Sequence, residues 1–460
     1  MLRFNDALRL AAEVASSSDL PADPRVGLIR DIYGRLRFAV NAHQPADLVE
    51  DDTDAQVPAE QRYPMSAHEH LMEGTARLGH YASAQQVLYR EDFSFPEKIF
   101  NSPDWYETTV DGGQDDEGHA LPELSVRLLD RQVIGQDWLR TRRFQANGPV
   151  PRVVFYGLKG GVGRSSALAM TAYRLAQQGK RVLLLDFDLE SPGLSGLLLP
   201  PERVAAAGLI DWFIEDAVGQ GDAVLNDLVA DSPLAEHTSG SIRIAAAMGQ
   251  DETAYLSKLA RVYADVPSEQ GPQSFADRMV RLVGLLEQQE KPDVVLIDSR
   301  AGLHDVAAVA ISGLATVALL FATDTAQNWQ GYSQLFSHWQ HRPAVLREVR
   351  ERLVMVQALQ PETDTAARSE AFLQHAFDLF SEHVYDQIDP GEDVPTEAFS
   401  FDLDNQDAPH FPMRVRWNAR FQEFNPLQGR EAGGLDDKDI EVTFGPFTEE
   451  LIAALTGLKK

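Results

Sequence analysis

Residues 153–166 read Val153-Val154-Phe155-Tyr156-Gly157-Leu158-Lys159-Gly160-Gly161-Val162-Gly163-Arg164-Ser165-Ser166. The apolar run predicts a buried strand, the glycines predict a tight turn, and the residues that follow have helical spacing. Glycines let backbone N–H groups point into such a turn, the helix N-terminus adds positive potential, and a serine hydroxyl can bind Mg²⁺. The stretch therefore predicts a phosphate-binding loop for a nucleoside triphosphate and Mg²⁺. Its candidate binding residues are Gly160, Gly161, Val162, Gly163, Arg164, Ser165 and Ser166, with Ser165 the candidate metal ligand.

The loop carries two cations, and neither matches the common P-loop pattern. That pattern has Lys directly before Ser or Thr, whereas here Arg164 takes the place. Arginine keeps the charge and can fork onto two phosphate oxygens, but its wider, planar group holds the phosphates in a different geometry. We expect nucleotide binding to survive this change more easily than hydrolysis. The other cation, Lys159, stands at the entrance of the loop, where an ordinary P-loop needs none.

Downstream of the loop, apolar runs alternate with helical patterns. Further strands are predicted at residues 182–185, 242–247, 294–297, 317–321 and 353–356. Such alternation is typical of an α/β fold, here a P-loop NTPase domain with a doubly wound, mainly parallel sheet. A breaker-rich run at residues 146–151 marks a boundary, so we predict an N-terminal module at 1–148 and the P-loop domain at 149–460.

The N-terminal module has mixed patterns. Residues 5–14 have helical spacing and residues 35–40 alternate like a half-buried strand, which predicts an α+β module. Ser66 followed by Glu69 resembles a capping box that starts a helix. The polar, acidic stretches 45–64 and 102–122 are predicted to be loops.

Two acidic motifs follow the P-loop. Residues 184–188 form an apolar run that ends in Asp186-Phe187-Asp188, and residues 293–298 form another that ends in Asp298, which is a Walker B signature. Phosphoryl transfer to water needs little beyond an oriented nucleophile and neutralised charge. The three aspartates are therefore candidates for metal binding and for orienting water.

Lys159-Gly160-Gly161-Val162-Gly163, followed by Arg164 and Ser165, resembles the deviant Walker A loop of the MinD/ParA/Mrp class of ATPases, in its Lys-Gly-Gly-Val-Gly-Arg variant. The two acidic motifs resemble the switch I and switch II segments of that class in order and spacing. The resemblance covers about residues 151–362. It also implies that the nucleotide is ATP rather than GTP.

The resemblance implies a role for each matching residue. Lys159 reaches across a nucleotide-sandwich homodimer to the phosphates held by the other copy, Asp186 supports the Mg²⁺ shell, Asp188 positions the attacking water, and Asp298 reaches Mg²⁺ through water. The candidate catalytic residues are Lys159, Asp188 and Arg164, and the candidate metal residues are Ser165, Asp186 and Asp298. Gly302 is expected near the γ-phosphate. Arg300 and His304 either sense that phosphate or are ordinary surface residues.

The composition of the chain argues against several functions found in that class of ATPases. The chain has no cysteine, which excludes iron–sulfur ligation and thiolate metal sites. No tyrosine follows Tyr385, which argues against the tyrosine kinases built on the same loop. The formal charge is 41 − 70 = −29, which repels DNA and RNA unless a basic face is segregated. The basic groups are Arg140, Arg142 and Arg143, and Arg414, Arg416 and Arg420, and we interpret both as solvated faces or ion-pair partners.

The ends of the chain argue against a membrane protein. Residues 448–460 form an amphipathic tail, but only two lysines follow its acidic first turn, so packing on the domain is favoured over a membrane anchor. No apolar stretch approaches membrane-spanning length and the start lacks a signal-peptide core, which predicts a cytoplasmic protein. The sequence thus predicts a slow, ATP-hydrolysing dimeric switch that signals to a protein partner. The alternatives are a non-hydrolysing ATP-bound scaffold and, less favoured, a ParA-like DNA-associated or MinD-like membrane-associated ATPase.

Overall fold

A computed structural model describes residues 2–49, 57–113, 119–140, 150–251, 253–268, 271–388, 398–421, 425–427 and 437–457. The chain divides into two compact units, Met1–Arg140 and Thr141–Lys460. The boundary predicted at 148/149 lies outside the described residues.

The first unit is built on a five-stranded mixed sheet. Its helices are α1 (Phe4–Ala15), α2 (Met65–Arg77) and α3 (Pro96–Phe100), and its strands are β1 (Gly27–Arg30), β2 (Leu36–Ala39), β3 (Ala82–Leu88), β4 (Tyr106–Val110) and β5 (Leu124–Asp130). The strand order is β3-β2-β1-β5-β4. The pairs β1–β2 and β4–β5 are antiparallel, and β1–β5 and β2–β3 are parallel. Apolar residues of α1 and α2 pack with Leu28, Phe38 and Leu128 of the sheet into one core, so this unit is α+β as predicted.

Two local predictions in this unit are wrong. Helix α2 begins after Pro64, whose backbone is the N-cap and whose side chain cannot cap, so Ser66 lies inside the first turn and forms no capping box. Strand β4 lies inside the stretch 102–122 that was predicted to be a loop. Its residues are mostly polar because it is an edge strand with only Thr108 buried. Residues 50–56 and 114–118 of the two predicted loops lie outside the described residues.

The second unit is built on an eight-stranded sheet. Its strands are β6 (Arg152–Gly157), β7 (Arg181–Phe187), β8 (Val229–Asp231), β9 (Ser241–Ala245), β10 (Val294–Ser299), β11 (Val317–Ala322), β12 (Leu353–Gln360) and β13 (Met413–Arg416). Its helices are α4 (Arg164–Gln177), α5 (Leu194–Leu198), α6 (Leu209–Ala217), α7 (Gly221–Val224), α8 (Tyr255–Val262), α9 (Phe275–Glu290), α10 (Asp305–Ala308), α11 (Ala326–Gln340), α12 (Pro343–Val349), α13 (Thr365–His383) and α14 (Asp437–Gly457). The strand order is β13-β12-β11-β6-β10-β7-β9-β8, and each pairing is parallel except that of β8 with β9.

Helices cover both faces of this sheet. Successive residues of a strand point to opposite faces. Phe155 of β6 packs against Phe447 of α14, while its neighbour Tyr156 packs against Tyr332 of α11. The doubly wound, mainly parallel P-loop fold predicted from the sequence is therefore confirmed. Because the chain turns to one side of β6 and later to the other, the crevice beyond the carboxyl end of β6 is where such sheets bind ligands.

The C-terminal helix α14 belongs to this core. Phe447, Leu451 and Leu455 are buried in the same apolar cluster as α4 and Phe155. The apolar face of the predicted amphipathic tail thus packs on the sheet, while residues 458–460, which include both lysines, lie outside the described part. No helix among the described residues combines the length and the apolar character that crossing a bilayer requires.

Candidate functional site

The glycine loop joins β6 to α4 at the predicted place. Strand β6 ends at Gly157 and α4 begins at Arg164. Gly161 and Gly163 have φ angles of 76° and 78°, in the left-handed region that glycine adopts without strain. A Cβ placed on Gly160 or Gly161 would meet no other described atom within 4 Å, so the loop faces open space. Backbone N–H groups at a helix start that faces open space can receive an anion such as phosphate.

Behind the loop, one arginine and one serine contact two aspartates from neighbouring strands. Arg164 Nη2 donates a hydrogen bond to Asp188 Oδ2 at 3.3 Å, and its Nε lies 3.3 Å from Asp298 Oδ1. Ser165 Oγ donates to Asp298 Oδ2 at 2.6 Å. Arg164 and Asp188 are each 8% exposed and Asp298 is 2% exposed. The sequence candidates for the phosphate-binding cation, the metal-binding hydroxyl and two acidic roles therefore form one contact cluster.

Several polar atoms in this cluster have unused bonding capacity. Within the described part of the chain, Arg164 Nη1 is buried and has no hydrogen-bond partner, while Arg164 Nε and Asp298 Oδ1 form an ion pair without a hydrogen bond. Buried polar atoms in folded proteins are nearly always bonded. The donor Nη1 suits a phosphate oxygen, and Asp298 Oδ1 can also accept from metal-bound water. The cluster therefore fits a nucleotide with Mg²⁺.

Asp186 holds the loop that follows β7. Its side chain is fully buried and accepts hydrogen bonds from the backbone N–H groups of Asp188 at 3.2 Å, Gly193 at 3.3 Å and Leu194 at 3.1 Å. Burial, and then the charge of Asp298, raise the pKa of Asp186 to about 8. Burial also raises the pKa of Asp298. Three carboxyl groups are buried here and Arg164 contacts only those of Asp188 and Asp298, so the cluster favours an additional cation.

Protein groups alone do not complete a metal site. No cluster of three or more His, Asp or Glu side chains that could hold a metal ion exists in the described ranges. Mg²⁺ usually keeps several waters and takes its remaining ligands from one or two protein groups and from substrate phosphates. Ser165 and Asp298 are therefore compatible with Mg²⁺ that enters together with a nucleotide.

The loop after β10 lies against the P-loop. Gly302 has a φ of 84°, its N–H donates to the carbonyl of Gly157 at 3.2 Å, and its carbonyl accepts from the Tyr156 hydroxyl at 3.2 Å. This geometry brings the predicted switch II glycine to the start of the phosphate loop.

Other candidates do not join the cluster. Lys159 is exposed, and in the described part of the chain it has no hydrogen-bond or ion-pair partner. Arg300 pairs closely with Glu190, and His304 Nε2 lies 3.7 Å from the same carboxylate. Sequence reasoning assigned no role to Glu190, although its position two residues after Asp188 was a signal that could have drawn attention to it.

A cleft of about 720 Å³ opens at the carboxyl ends of β12 and β13. Trp417 is 37% exposed on its wall, and Arg414 and Glu450 also line the cleft. Leu359, the residue before the lining residue Gln360, approaches the P-loop, because its Cδ2 lies 3.4 Å from where a Cβ on Gly163 would stand. Strand β12 is two strands from β6, so the cleft lies about 10 Å to the side of the phosphate loop.

Three of the basic residues considered for nucleic-acid binding form contacts within the chain, two of them at the surface. Arg140 Nε and Nη2 each donate to Asp104 at 3.0 Å, and Arg420 Nη1 donates to Asp439 at 2.5 Å. Arg416 Nη1 donates to the carbonyl of Val442 at 3.4 Å. Arg142 and Arg143 lie outside the described residues.

Known proteins match this chain most clearly around the P-loop. Residues 151–192 match the model of the anion-transporting ATPase family. The arsenical pump-driving ATPase of Escherichia coli is 38% identical over 12% of this chain and 13% of its own length, so the match spans only a small part of that relative.

Solved structures of similar fold were also found. The pNOB8 ParA bound to nonspecific DNA is 16% identical, with a TM-score of 0.40 over 67% of this chain and 99% of that one. An McdA–ATP complex from Cyanothece is 15% identical, with a TM-score of 0.39 over 66% and 97%. A Mycobacterium smegmatis cobyrinic acid a,c-diamide synthase with bound ATP analog and magnesium is 16% identical, with a TM-score of 0.37 over 49% and 82%.

The fold and the loop geometry define a P-loop nucleotide-binding protein. More particularly, the match to the anion-transporting ATPase family over residues 151–192 covers the glycine loop and both Asp186 and Asp188, so the predicted similarity to P-loop ATPases of the ParA/MinD type is supported over this segment.

Proposed function

We propose that this chain is a slow, Mg²⁺-dependent cytoplasmic ATPase that closes as a homodimer on ATP and reports its nucleotide state to a protein partner. The observation that carries the proposal is the cluster of Arg164, Ser165, Asp188 and Asp298 directly behind an open glycine loop. It combines a phosphate cation, a metal-binding hydroxyl and two carboxylates in the arrangement that phosphoryl transfer to water needs.

In this proposal the backbone N–H groups of residues 160–165 bind the β- and γ-phosphates, and Arg164 neutralises their charge. Ser165, Asp186 and Asp298 are the residues that would hold Mg²⁺, directly or through water. When bound, Mg²⁺ would supply neutralisation of the charge on the transferred phosphoryl group. Asp188 orients the attacking water, and Lys159 reaches the phosphates bound by the second copy.

The proposed homodimer is supported by the state of Lys159. A lysine at the mouth of the loop that is exposed, and that has no ion-pair partner in the described ranges, is free to contact another molecule. The large negative charge of the chain and the internal pairing of Arg140 and Arg420 favour a protein partner over nucleic acid.

The nucleoside is proposed to lie in the cleft beside Trp417. Its position at the same sheet edge as the P-loop suits the base of a nucleotide whose phosphates occupy the loop, and an aromatic wall offers a stacking surface. On this view, Trp417→Phe removes most of the change in tryptophan fluorescence that ATP produces. A response equal to that of the wild type would place the base elsewhere.

Phosphate release by the purified full chain with Mg²⁺ and ATP tests the proposed ATPase activity. Asp188→Ala is the control, because it removes the residue proposed to orient water while Arg164 keeps its ion pair with Asp298. We expect slow release from the wild type and none above background from the variant.

A non-hydrolysing ATP-bound scaffold is the second candidate. The hydrogen bond from Arg164 to Asp188 favours it, because a carboxylate that keeps this bond after ATP binds is less able to orient water. ATP binding with equal, background phosphate release from the wild type and from Asp188→Ala would establish the scaffold and reject the enzyme.

A further inference from the structure

Beyond the phosphate cluster, the loops after β7 and β10 meet at the carboxylate of Glu190. Its Oε1 accepts a hydrogen bond from the Tyr263 hydroxyl at 2.5 Å and forms a close ion pair with Arg300. His304 Nε2 lies 3.7 Å away, and its ring packs against that of Tyr263 with centroids 5.2 Å apart. Charge-assisted contacts of this kind are about twice as strong as neutral ones.

This contact joins the two loops that carry the proposed reaction. Strands β7 and β10 are parallel neighbours, and Asp186 is in register with Asp298. Glu190 follows Asp188 by two residues, and Arg300 follows Asp298 by two residues. If either loop moves, the ion pair between Glu190 and Arg300 is stretched, so the position of one loop depends on that of the other.

A third segment also contacts the loop after β7. The hydroxyl of Tyr255, at the start of α8, donates to the carbonyl of Leu189 at 2.5 Å, and Tyr263 follows the end of that helix. Residues 255–263, which we name the α8 segment, thus contact the loop after β7 through two tyrosine hydroxyls. Lys258 anchors the segment to Asp211 of α6 at 2.6 Å.

We propose that Glu190 is a positioning residue that joins both loops and the α8 segment into one unit, so that the loops are ordered together and the segment follows their state. The pair with Arg300 is only partly exposed, at 22% for Glu190 and 31% for Arg300, which limits its screening by solvent. The α8 segment then carries the nucleotide state from the site to the surface. This inference rests on the proposed function as an ATP-dependent switch.

The phosphates themselves are held by the P-loop, which Glu190 does not contact in the described structure. Loss of the Glu190 charge is therefore expected to leave nucleotide affinity within about three-fold and to lower the turnover rate by about ten-fold or more, because the water-orienting carboxylate is no longer fixed. General destabilisation would change both quantities.

Hydrogen–deuterium exchange on the full chain without nucleotide tests the connection directly. Glu190→Gln keeps the shape and removes the charge, and we expect faster exchange in residues 187–193, 299–304 and 255–263 together. Tyr263→Phe removes only a hydroxyl and is expected to release residues 255–263 while 299–304 stay protected. Glu236→Gln, in the exposed pair with Arg203, is the matched control and leaves all three segments unchanged.

The double variant Glu190→Arg with Arg300→Glu exchanges the two charges and restores the attraction between the loops. An arginine at position 190 has no acceptor for the Tyr263 hydroxyl, so that hydrogen bond is lost. It is expected to recover protection at residues 299–304 and not at 255–263. Faster exchange confined to residues 187–193 in Glu190→Gln would overturn the proposal. A wild type that binds no nucleotide would overturn the proposed function instead, and the exchange result would still decide on the role of Glu190.

Discussion

Arg164 connects the phosphate loop to both acidic strands, because a single guanidinium contacts Asp188 and Asp298. Arg164→Met keeps most of the volume and leaves these two buried carboxyl groups without their cation. Removing one member of a buried ion pair costs about 3–5 kcal/mol. We therefore expect the free energy of unfolding without nucleotide to fall by about 3 kcal/mol in urea denaturation.

The matched control for Arg164 is Arg203→Met. Arg203 pairs with Glu236 on the surface, where both side chains are nearly half exposed, and exposed pairs contribute about 0–1 kcal/mol. Equal effects of the two substitutions would contradict the structural role of Arg164.

The buried side chain of His304 predicts how the stability of the protein depends on pH. Burial, reinforced by the charge of Arg300 and opposed by the charge of Asp188, lowers the pKa of His304 to about 4. The unfolded side chain has a pKa near 6.5. The folded protein therefore binds fewer protons than the unfolded chain between pH 6.5 and 4, and its stability falls as the pH drops through that range.

His304→Asn removes this titration and keeps a group that can accept from the Val306 N–H, as His304 does at 3.3 Å. We expect the melting temperature of the variant to depend less steeply on pH between 6.5 and 4. His80→Asn, at an exposed position, is the control and should retain the wild-type slope. Identical slopes for all three proteins would rule out the buried, neutral state of His304.

Motif order was sufficient to select Arg164, Ser165 and Asp298 from the sequence, and these side chains lie in contact. It was not sufficient for Glu190. The hydrogen bond from Tyr263 spans 73 positions along the chain, and no spacing rule connects a tyrosine after α8 to a loop after β7. Contacts of this type depend on how helices pack on the sheet, which local patterns do not contain.

Among the elements, the buried strands of the second unit were predicted closely and the edge strands were not. Strands β6, β7, β10 and β11 are apolar runs buried on both faces, which gives a strong signal. Strand β13 has four residues, of which Met413 and Val415 enter the core while Arg414 and Arg416 face the cleft. From sequence alone such a short alternation cannot be told from a loop, and Arg414 and Arg416 were interpreted only as a solvated face or as ion-pair partners.

Helix α14 shows how neighbouring elements compensate for a local defect. Pro446 lies inside the helix and has no N–H, so the carbonyl of Val442 loses its usual partner one turn later. Arg416 Nη1 donates to that carbonyl at 3.4 Å. An arginine that was a candidate for nucleic-acid binding therefore supports the C-terminal helix.

Because α14 packs on the sheet, we expect its buried side chains to contribute to the free energy of unfolding. Phe447 is fully buried, with its ring centroid 6.4 Å from that of Phe155 and 6.0 Å from that of Phe321. Phe447→Ala is expected to lower the free energy of unfolding by about 3–5 kcal/mol, as for other buried Phe-to-Ala changes. Leu256→Ala, at a leucine that is 79% exposed, should change it by less than about 0.5 kcal/mol. A stable Phe447→Ala protein that has lost binding to anionic vesicles would instead identify α14 as a membrane anchor.

At the scale of the whole molecule, each unit has its own apolar core, and the residues of the proposed ATP site all belong to the second unit. The first unit is thus available for the proposed partner, and control of the switch is expected to depend on how two copies meet. Lys159 is the residue proposed to contact the second copy in the homodimer.

Light scattering with size-exclusion chromatography measures the assembly directly. Asp188→Ala, which should trap bound ATP, is expected to have twice the monomer mass with Mg²⁺ and ATP and the monomer mass with ADP. Adding Lys159→Ala should keep it monomeric in ATP while nucleotide affinity changes by less than about three-fold, because the other copy loses only one phosphate contact. Lys180→Ala is the control, since Lys180 is also exposed but lies after α4, away from the loop. Equal masses with ATP and ADP, together with no effect of Lys159→Ala, would require the cross-dimer role of Lys159 to be abandoned.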